Sequence, residues 1–561
     1  MSGRQIRSRL LSESNTQDGS IVSEMKSYSL TPVPNDGIHV YSNTRINPDI
    51  SAPFTSSQEI TLRLTSSNFD ICEFSNSYIH MTLRLRLRFQ NAPVVEGDDA
   101  FAQALKNNQF IFLGLKCGNQ LIRNYSFKHN DVPITTTMQS NAVYEGFLYS
   151  AFMSKGERSN KKYVFSPYEE VSMLDNSLCG LYLPIGELVS GTYVNMDVIL
   201  PYRSLLALSG WNEFCNRVFG DLKIVFSLTS EAFVFTEVNP IASLRKAIIS
   251  GKIDKSTPHL SDVLAIDPDS FEYKHCFEQA TVESPVQFIS GWDEENGKLK
   301  FSTQEAFTPH IDEIVATEVW ADVRGYRASE DAIRELRAHW MSNPFVVCAQ
   351  KVDSFTFPAN ATPSGIRTAM NVRLNRCTDA CVLFPKDSRH RTIFTNICYD
   401  KLTLQVGNQR FPDSLISTDS PQWFAQQLQS SDFDSIFEAN EEWEHSITDV
   451  NTDGERMLKP VTDNTSFVPL FQFERSGGVS TPNSTWFDGL DGNFKIELSG
   501  NPVHPNFDVY YNGQSMPSPI LCTDQETYWL FRVDPSGMPS VQYLVNSSFE
   551  DGYNTSTLEK V

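Results

Sequence analysis

A chain of 561 residues is too long for one ordinary hydrophobic core, so two to four domains are expected. The composition is 40% hydrophobic and 12% aromatic, enough to fill large cores; 28 Gly and 29 Pro, spread along the chain, punctuate loops rather than form a low-complexity tract. The net charge of -22 makes the surface repel phosphate, which excludes whole-chain coating of nucleic acid.

In chain order, residues 1–49 are rich in Ser, Asn, Asp and Pro without sustained periodicity, and read as an N-terminal arm with Arg4, Arg7 and Arg9 as its basic side chains. The first strong strand follows at 78–89, where Met81, Leu83, Leu85, Leu87 and Phe89 alternate with Thr82, Arg84, Arg86 and Arg88. Period two puts the apolar set on one face and the arginines on the other. On so acidic a chain the arginine face reads as solvated or ion-paired; nucleic-acid contact is the rival reading. Val194, Met196, Val198 and Leu200 form a second alternating run that stops at Pro201. Leu205, Leu206, Trp211, Phe214 and Phe219 have helix-like spacing, and a third strand opens at Leu222, with Ala232 to Phe235 as its extension.

Residues 236–305 read as a connector or loop insertion, with a short basic helix at Ser243–Lys252. After it, 314–323 reads as a strand and Ser329 as the cap of a helix whose first turn carries Glu330 and Asp331; Ile333, Leu336 and Trp340 form its stripe. Strands are expected at 345–357, 369–374, 380–384 and 401–406, with a turn at Gly407-Asn408. Ser420-Pro421 opens a helical region. Strands resume at 494–498 and 528–533, and Asp534-Pro535-Ser536-Gly537 turns the chain into 541–544. Two β-rich regions result, 50–235 and 306–545, with a tail at 546–561. Helices are inserted between strands rather than alternating with them, which favours β-sandwiches over a doubly wound α/β fold.

Mechanistic motifs are missing: no Gly-rich phosphate loop, no Gly-x-Ser-x-Gly elbow and no His-Glu-x-x-His. Cys377 and Cys381 have the spacing of a zinc half-site, but no second half-site lies near in sequence, and buried structural thiols are the plainer reading. Asp449, Asn451, Asp453 and Gly454 match the first half of a calcium loop, yet its twelfth position is Pro460, which offers no carboxylate. Glu438, Glu441, Glu442 and Glu444 read as a solvated acidic helix face. No catalytic, cofactor-binding or metal site is assigned. The ten cysteines are too sparse for a disulfide scaffold, and no apolar segment follows Met1 or is long enough to span a membrane. Thiols are therefore expected to be free, and the six Asn-x-Ser/Thr sequons (from Asn124, Asn360, Asn464, Asn483, Asn546 and Asn554) to be chance matches.

Val198-Ile-Leu-Pro-Tyr202 and Gly220-Asp-Leu-Lys-Ile-Val-Phe226 in the first region carry a resemblance to a known family. Lys401-Leu-Thr-Leu-Gln-Val-Gly-Asn-Gln-Arg-Phe-Pro412 and Asp524-Gln-Glu-Thr-Tyr-Trp-Leu-Phe531 carry it in the second. In pattern and order, over 50–545, the chain resembles the double-jelly-roll major capsid proteins of double-stranded DNA viruses, of the virophage and Polinton (Maverick) type. The resemblance implies an all-β fold of two tandem eight-stranded jelly rolls. It also implies a homotrimer that tiles an icosahedral shell as a pseudo-hexagon, without catalysis or cofactor. Penton and minor capsid proteins would be partners, the arm would make weak DNA contact, and the protein would reside in the virion after synthesis in the host cytoplasm. Two other readings stay open. One is a lectin-like or spike-like adhesion module; the other is a glycoside hydrolase with two facing carboxylates.

Overall fold

The computed structural model describes residues 38–90, 92, 94–115, 118–135, 138–139, 164–165, 179–202, 205–208, 211–229, 232–237, 240–266 and 288–301 of the first part of the chain. Beyond these it describes 308–342, 345–358, 365–383, 399–412, 415–416, 448–450, 456–458, 469–473, 490–502 and 518–545. These residues form a β protein with few helices.

The strands of the first lobe pair concentrically. Ile60–Arg63 pairs with Leu222–Leu228, Ile71–Gln90 with Tyr193–Pro201, and Phe110–Leu115 with Cys179–Pro184, all antiparallel. Each later strand therefore returns beside an earlier one, as in a long hairpin that has been rolled up. Rolling also makes cross-turn neighbours: Leu222–Leu228 lies between Ile60–Arg63 and Ile122–His129, and Tyr193–Pro201 between Ile71–Gln90 and Val164–Phe165. This wrapping is a jelly roll. The expected alternation drives it. Met81, Leu83, Leu85, Leu87 and Phe89 are buried while Arg84, Arg86 and Arg88 are exposed, and Val194, Met196, Val198 and Leu200 are buried opposite them. A one-residue slip would turn the arginines into the core.

Several expectations are corrected. The arm expected over 1–49 contains a strand, Ile38–Ile46. That strand pairs with Thr308–Ala328, which the sequence reading placed in the second region but which is hydrogen-bonded into the first lobe, along Ile71–Gln90. Alternation reveals a strand but not its partner, and here the partner is more than 200 positions away. Where these strands cross, a Cβ on Gly325 would run into the Ile71 carbonyl oxygen and the Phe69 ring, so no larger residue fits.

The expected helix over 205–219 is instead a 3-10 turn at Leu206–Leu208, a short strand at Glu213–Phe214 and a single helical turn at Asn216–Phe219. Leu205, Trp211, Phe214 and Phe219 are all buried, so their spacing reflects burial and not one helical face. Val234–Glu237 does not extend Leu222–Leu228 but joins another sheet, against Phe110–Leu115.

The connector packs on the first lobe. Its helices Pro240–Ile249 and Leu260–Ala265 and its hairpin Ile289–Asp293 and Lys298–Phe301 send Ile241, Leu244, Ile248, Leu260, Val263 and Ile289 into that lobe's core. Buried Gln109 fastens the hairpin: its Nε2 donates to Ile289 O at 2.9 Å, and Ile289 N donates to its Oε1 at 2.8 Å.

A helix at Glu330–Ser342 leads to the second lobe, with Ser329 Oγ accepting from Ala332 N at 3.2 Å as the cap. In that lobe Phe345–Thr356 pairs with Ile520–Val533, and Ile366–Leu383 with Leu490–Pro502 inside it. Early and late strands again alternate, in the order Phe345–Thr356, Ile520–Val533, Ile366–Leu383, Leu490–Pro502, Tyr399–Val406. The described strands of this lobe other than the small Thr448–Val450 and Arg456–Leu458 hairpin are linked by hydrogen bonds into one set of eight. The strands expected at 369–374 and 380–384 are one strand, Ile366–Leu383, interrupted by register shifts around Cys377. The shifts let its first half pair with Leu490–Pro502 and its second half with Ile520–Val533, and they break the alternation that made it look like two. Gly407, at positive φ, closes the expected turn, and Asp534 Oδ1 accepts from Met538 N at 2.8 Å in the turn before Pro539–Val545.

Candidate functional site

Each sequence candidate for chemistry resolves into structure or lies outside the described residues. Cys377 and Cys381 are both buried in Ile366–Leu383. Cys377 belongs to the second core, whereas Cys381, past a register shift, alternates with the core residues Ala380 and Val382. Asp449 sits in Thr448–Val450, but Asn451, Asp453 and Gly454 lie outside the described residues, as do the helical region from Ser420, Glu438, Glu441, Glu442, Glu444 and Arg4, Arg7 and Arg9. Among the described residues no three His, Cys, Asp or Glu side chains converge as metal ligands.

The buried ionisable groups are tied into the scaffold. Burial pushes the Cys72 and Cys215 thiols up to about 12, so neither is a thiolate nucleophile at neutral pH. Glu213 is the nearest approach to an acid–base residue: burial raises its carboxyl, the Tyr326 hydroxyl opposes that shift, and Glu73 adds to it from the register position opposite. Tyr326 Oη donates to Glu213 Oε1 at 3.1 Å. Because Glu213 and Tyr326 flank Ile71–Gln90 from opposite sides, this bond straps three strands together. Lys223, nearly buried, donates to Asp131 Oδ1 at 2.8 Å and to Asp49 Oδ2 at 3.0 Å. The hydrogen bonds to those two carboxylates hold its ammonium above the usual lysine range.

The most developed feature is an aromatic seam between the lobes. Phe345, Trp529 and Phe531 of the second lobe meet Phe127, Trp211, Phe214 and Phe219 of the first. Trp529 lies edge-on to Phe127 at 5.3 Å between centroids, Trp211 edge-on to Phe531 at 5.0 Å, and Phe219 stacked on Phe345 at 5.5 Å. These rings are almost fully buried, and Trp529 Nε1 donates to Ala207 O across the seam at 2.7 Å. Offset and edge-to-face pairs of this kind add about 0.5–1.5 kcal/mol each beyond their buried area. Sequence reading named Trp211, Phe214 and Phe219 but assigned them to a helix. The signal that Trp529-Leu-Phe531 belonged with them was absent, because their contact spans more than 300 positions.

A chain built as two wrapped β lobes around one dry seam can be set beside known proteins. No protein-family model matches the sequence, and no curated protein matches it. Solved structures of viral capsids overlay on most of it. The chain is similar to the Sputnik virophage structure solved by cryo-EM, with a TM-score of 0.48 and 10% identity over 93% of this chain and 92% of that one. The mavirus major capsid protein overlays with the same TM-score, identity and coverage. The PBCV-1 virus capsid overlays at 0.39, with 9% identity over 92% of this chain and 100% of that one.

The arginine face of Ile71–Gln90 is engaged by its neighbours. Arg88 Nε lies 3.0 Å from Asp312 Oδ1, and the Arg84 guanidinium sits 4.7 Å above the Tyr193 ring. Farther along the sheet Arg45 lies 3.6 Å over Trp320, which also stacks on His80 at 3.8 Å. Burial holds the His80 imidazole below the usual histidine range, which leaves it neutral at pH 7. An ion-paired and stacked face is what an acidic chain does with a row of arginines. Among the described residues no helix is long and apolar enough to cross a membrane.

Proposed function

We propose that this chain is the building block of an icosahedral virus shell, a major capsid protein that assembles as homotrimers and then as a lattice. The observation that supports the reading best is the pair of wrapped β lobes held by the aromatic seam. A shell tile must keep its shape under lateral load, and a continuous dry contact between lobes resists hinge motion in a way that a polar linker does not. With two lobes per chain, cyclic closure of three chains gives a ring of six similar lobes. Exposed apolar side chains such as Ile50, Val94, Val132, Val189 and Leu415 supply apolar area for lateral contacts. The net charge of -22 keeps free trimers apart until lattice contacts or counterions outweigh the repulsion.

Penton and minor capsid proteins are the partners this reading calls for, with weak DNA contact through Arg4, Arg7 and Arg9, and synthesis in the host cytoplasm before residence in the virion. Light scattering coupled to gel filtration tests the central claim. Three chains of 63.4 kDa give a 190 kDa particle. A species that stays at one chain mass at micromolar concentration would overturn the capsid reading in favour of a monomeric adhesion module.

A further inference from the structure

We propose that Cys381 and Cys522 form a modification site: a thiol pair set to close as a cross-strand disulfide when the protein folds or opens in an oxidising medium. The two residues are direct register partners, flanked by Ala380 opposite Thr523 and Val382 opposite Leu521. Directly opposed residues of an antiparallel pair share one face of the sheet, with Cα atoms about 4.5 or 5.5 Å apart depending on the pair type. Either separation falls within the roughly 4.4–6.8 Å span that disulfides bridge. Ala380, Val382 and Leu521 belong to the second core, so by alternation Cys381 and Cys522 share the opposite face. Leu470 opposes Cys381 on its other flank. Both cysteines are at 0% exposure and neither is in a disulfide.

The other described thiols are placed differently. Cys377 faces Gln525 and Leu490 across the ladder, and Cys72 faces Phe214, so no other described cysteine has a cysteine as its register partner. A register-matched pair within a ladder of ordinary geometry requires little backbone movement to close.

The co-reactant is a small disulfide such as oxidised glutathione. The thiolate of one cysteine attacks it and releases one glutathione thiol; the second cysteine then displaces the other glutathione from the mixed disulfide. Both protein thiol protons end on the two glutathione thiols, and the glutathione disulfide is reduced as the protein disulfide forms. Full burial keeps the reagent away from the folded pair, so the bond forms during folding or transient opening of the sheet. Once made, the same burial shields it from reductants. The bond would clamp Ile520–Val533, the strand that carries Trp529 and Phe531 into the seam, to Ile366–Leu383. It also closes a loop of more than 100 residues, the range in which disulfides constrain the unfolded chain most. This inference does not depend on the capsid reading.

The full chain is refolded in a glutathione redox buffer or in dithiothreitol, its free thiols are alkylated, and its peptides are mapped by mass spectrometry. A single linked peptide pair joining Cys381 to Cys522 is expected in the oxidised sample, with a Tm higher than that of the reduced sample by about 5 °C or more. In Cys381→Ala and in Cys522→Ser the link disappears and Tm no longer depends on the redox buffer. Alkylation of both thiols after oxidative refolding, or linkage of either to another cysteine, would overturn the assignment. Mapping the natural sequence decides the point even if neither variant folds.

Discussion

The core of the first lobe gathers side chains from Phe54 to Val541, whereas the core of the second draws only on residues between Phe357 and Leu521. The first lobe is therefore closed by groups that reach it late in the chain, with Phe345, Trp529 and Phe531 among them, while the second keeps a compact core of its own around Leu404, Ile496 and Leu498. The contrast shows how two lobes become one body. They share a strand, Ile520–Val533, whose Leu521 faces the second core and whose Trp529 and Phe531 face the first. Loosening the seam should be felt in both lobes, and loosening the second core in one.

The largest effect is expected from Trp529→Ala, at about 3–5 kcal/mol, because it removes a fully buried indole and leaves Ala207 O without its donor. Hydrogen exchange should then quicken in Ile122–His129 and Leu206–Leu208 of the first lobe as well as in Ile520–Val533. Exchange that quickens only beyond residue 345 would break the comparison, since the first core would then stand without the seam. Leu404→Ala should cost about 2–4 kcal/mol and speed exchange in Tyr399–Val406 and Leu490–Pro502, with Ile71–Gln90 unchanged.

A smaller effect of opposite sign is expected at Glu213. Burial raises its folded-state pKa above the unfolded value, so its contribution to stability is fully present below the unfolded pKa, near 4.3, and is lost as pH rises through the folded one. Glu213→Gln keeps an acceptor for Tyr326 Oη and removes the buried charge, so the variant should be slightly more stable at pH 7. Thermal melts between pH 4 and 7 should show the natural sequence losing stability relative to the variant as pH rises; parallel curves would mean that Glu213 is not held protonated by its surroundings. The smallest effect is expected on the outer face. Arg88→Ala removes a half-exposed ion pair with Asp312 and should cost no more than about 0.5 kcal/mol in a chemical-denaturation curve. A loss of several kcal/mol would make the arginine face a structural element equal to the seam.

Much of the local structure was legible in advance for a physical reason. The run from Met81 to Phe89 alternates because one face is buried and the other wet, and the same constraint is visible in Val194 to Leu200. Ser329 announces its helix because a cap and acidic first turn are chemical requirements of any helix start. Where burial is complete the signal fades: Trp211, Phe214 and Phe219 are surrounded on all sides, so their spacing carries no period to read. Bulges hide continuity in the same way, as around Cys377 in Ile366–Leu383. Of the features that matter for function, the sequence contained the aromatic residues of the seam but not their meeting.

By itself the sequence determined the β class, the faces of the principal strands, the Ser329 cap and the turns at Gly407 and Asp534, because each depends on neighbours within a few residues. Only the tertiary structure decided that Thr308–Ala328 belongs to the first lobe, that the connector packs there too, and that Trp529 crosses to Ala207. Those choices rest on which distant surfaces exclude water together, and alternation along one strand carries no record of its partner.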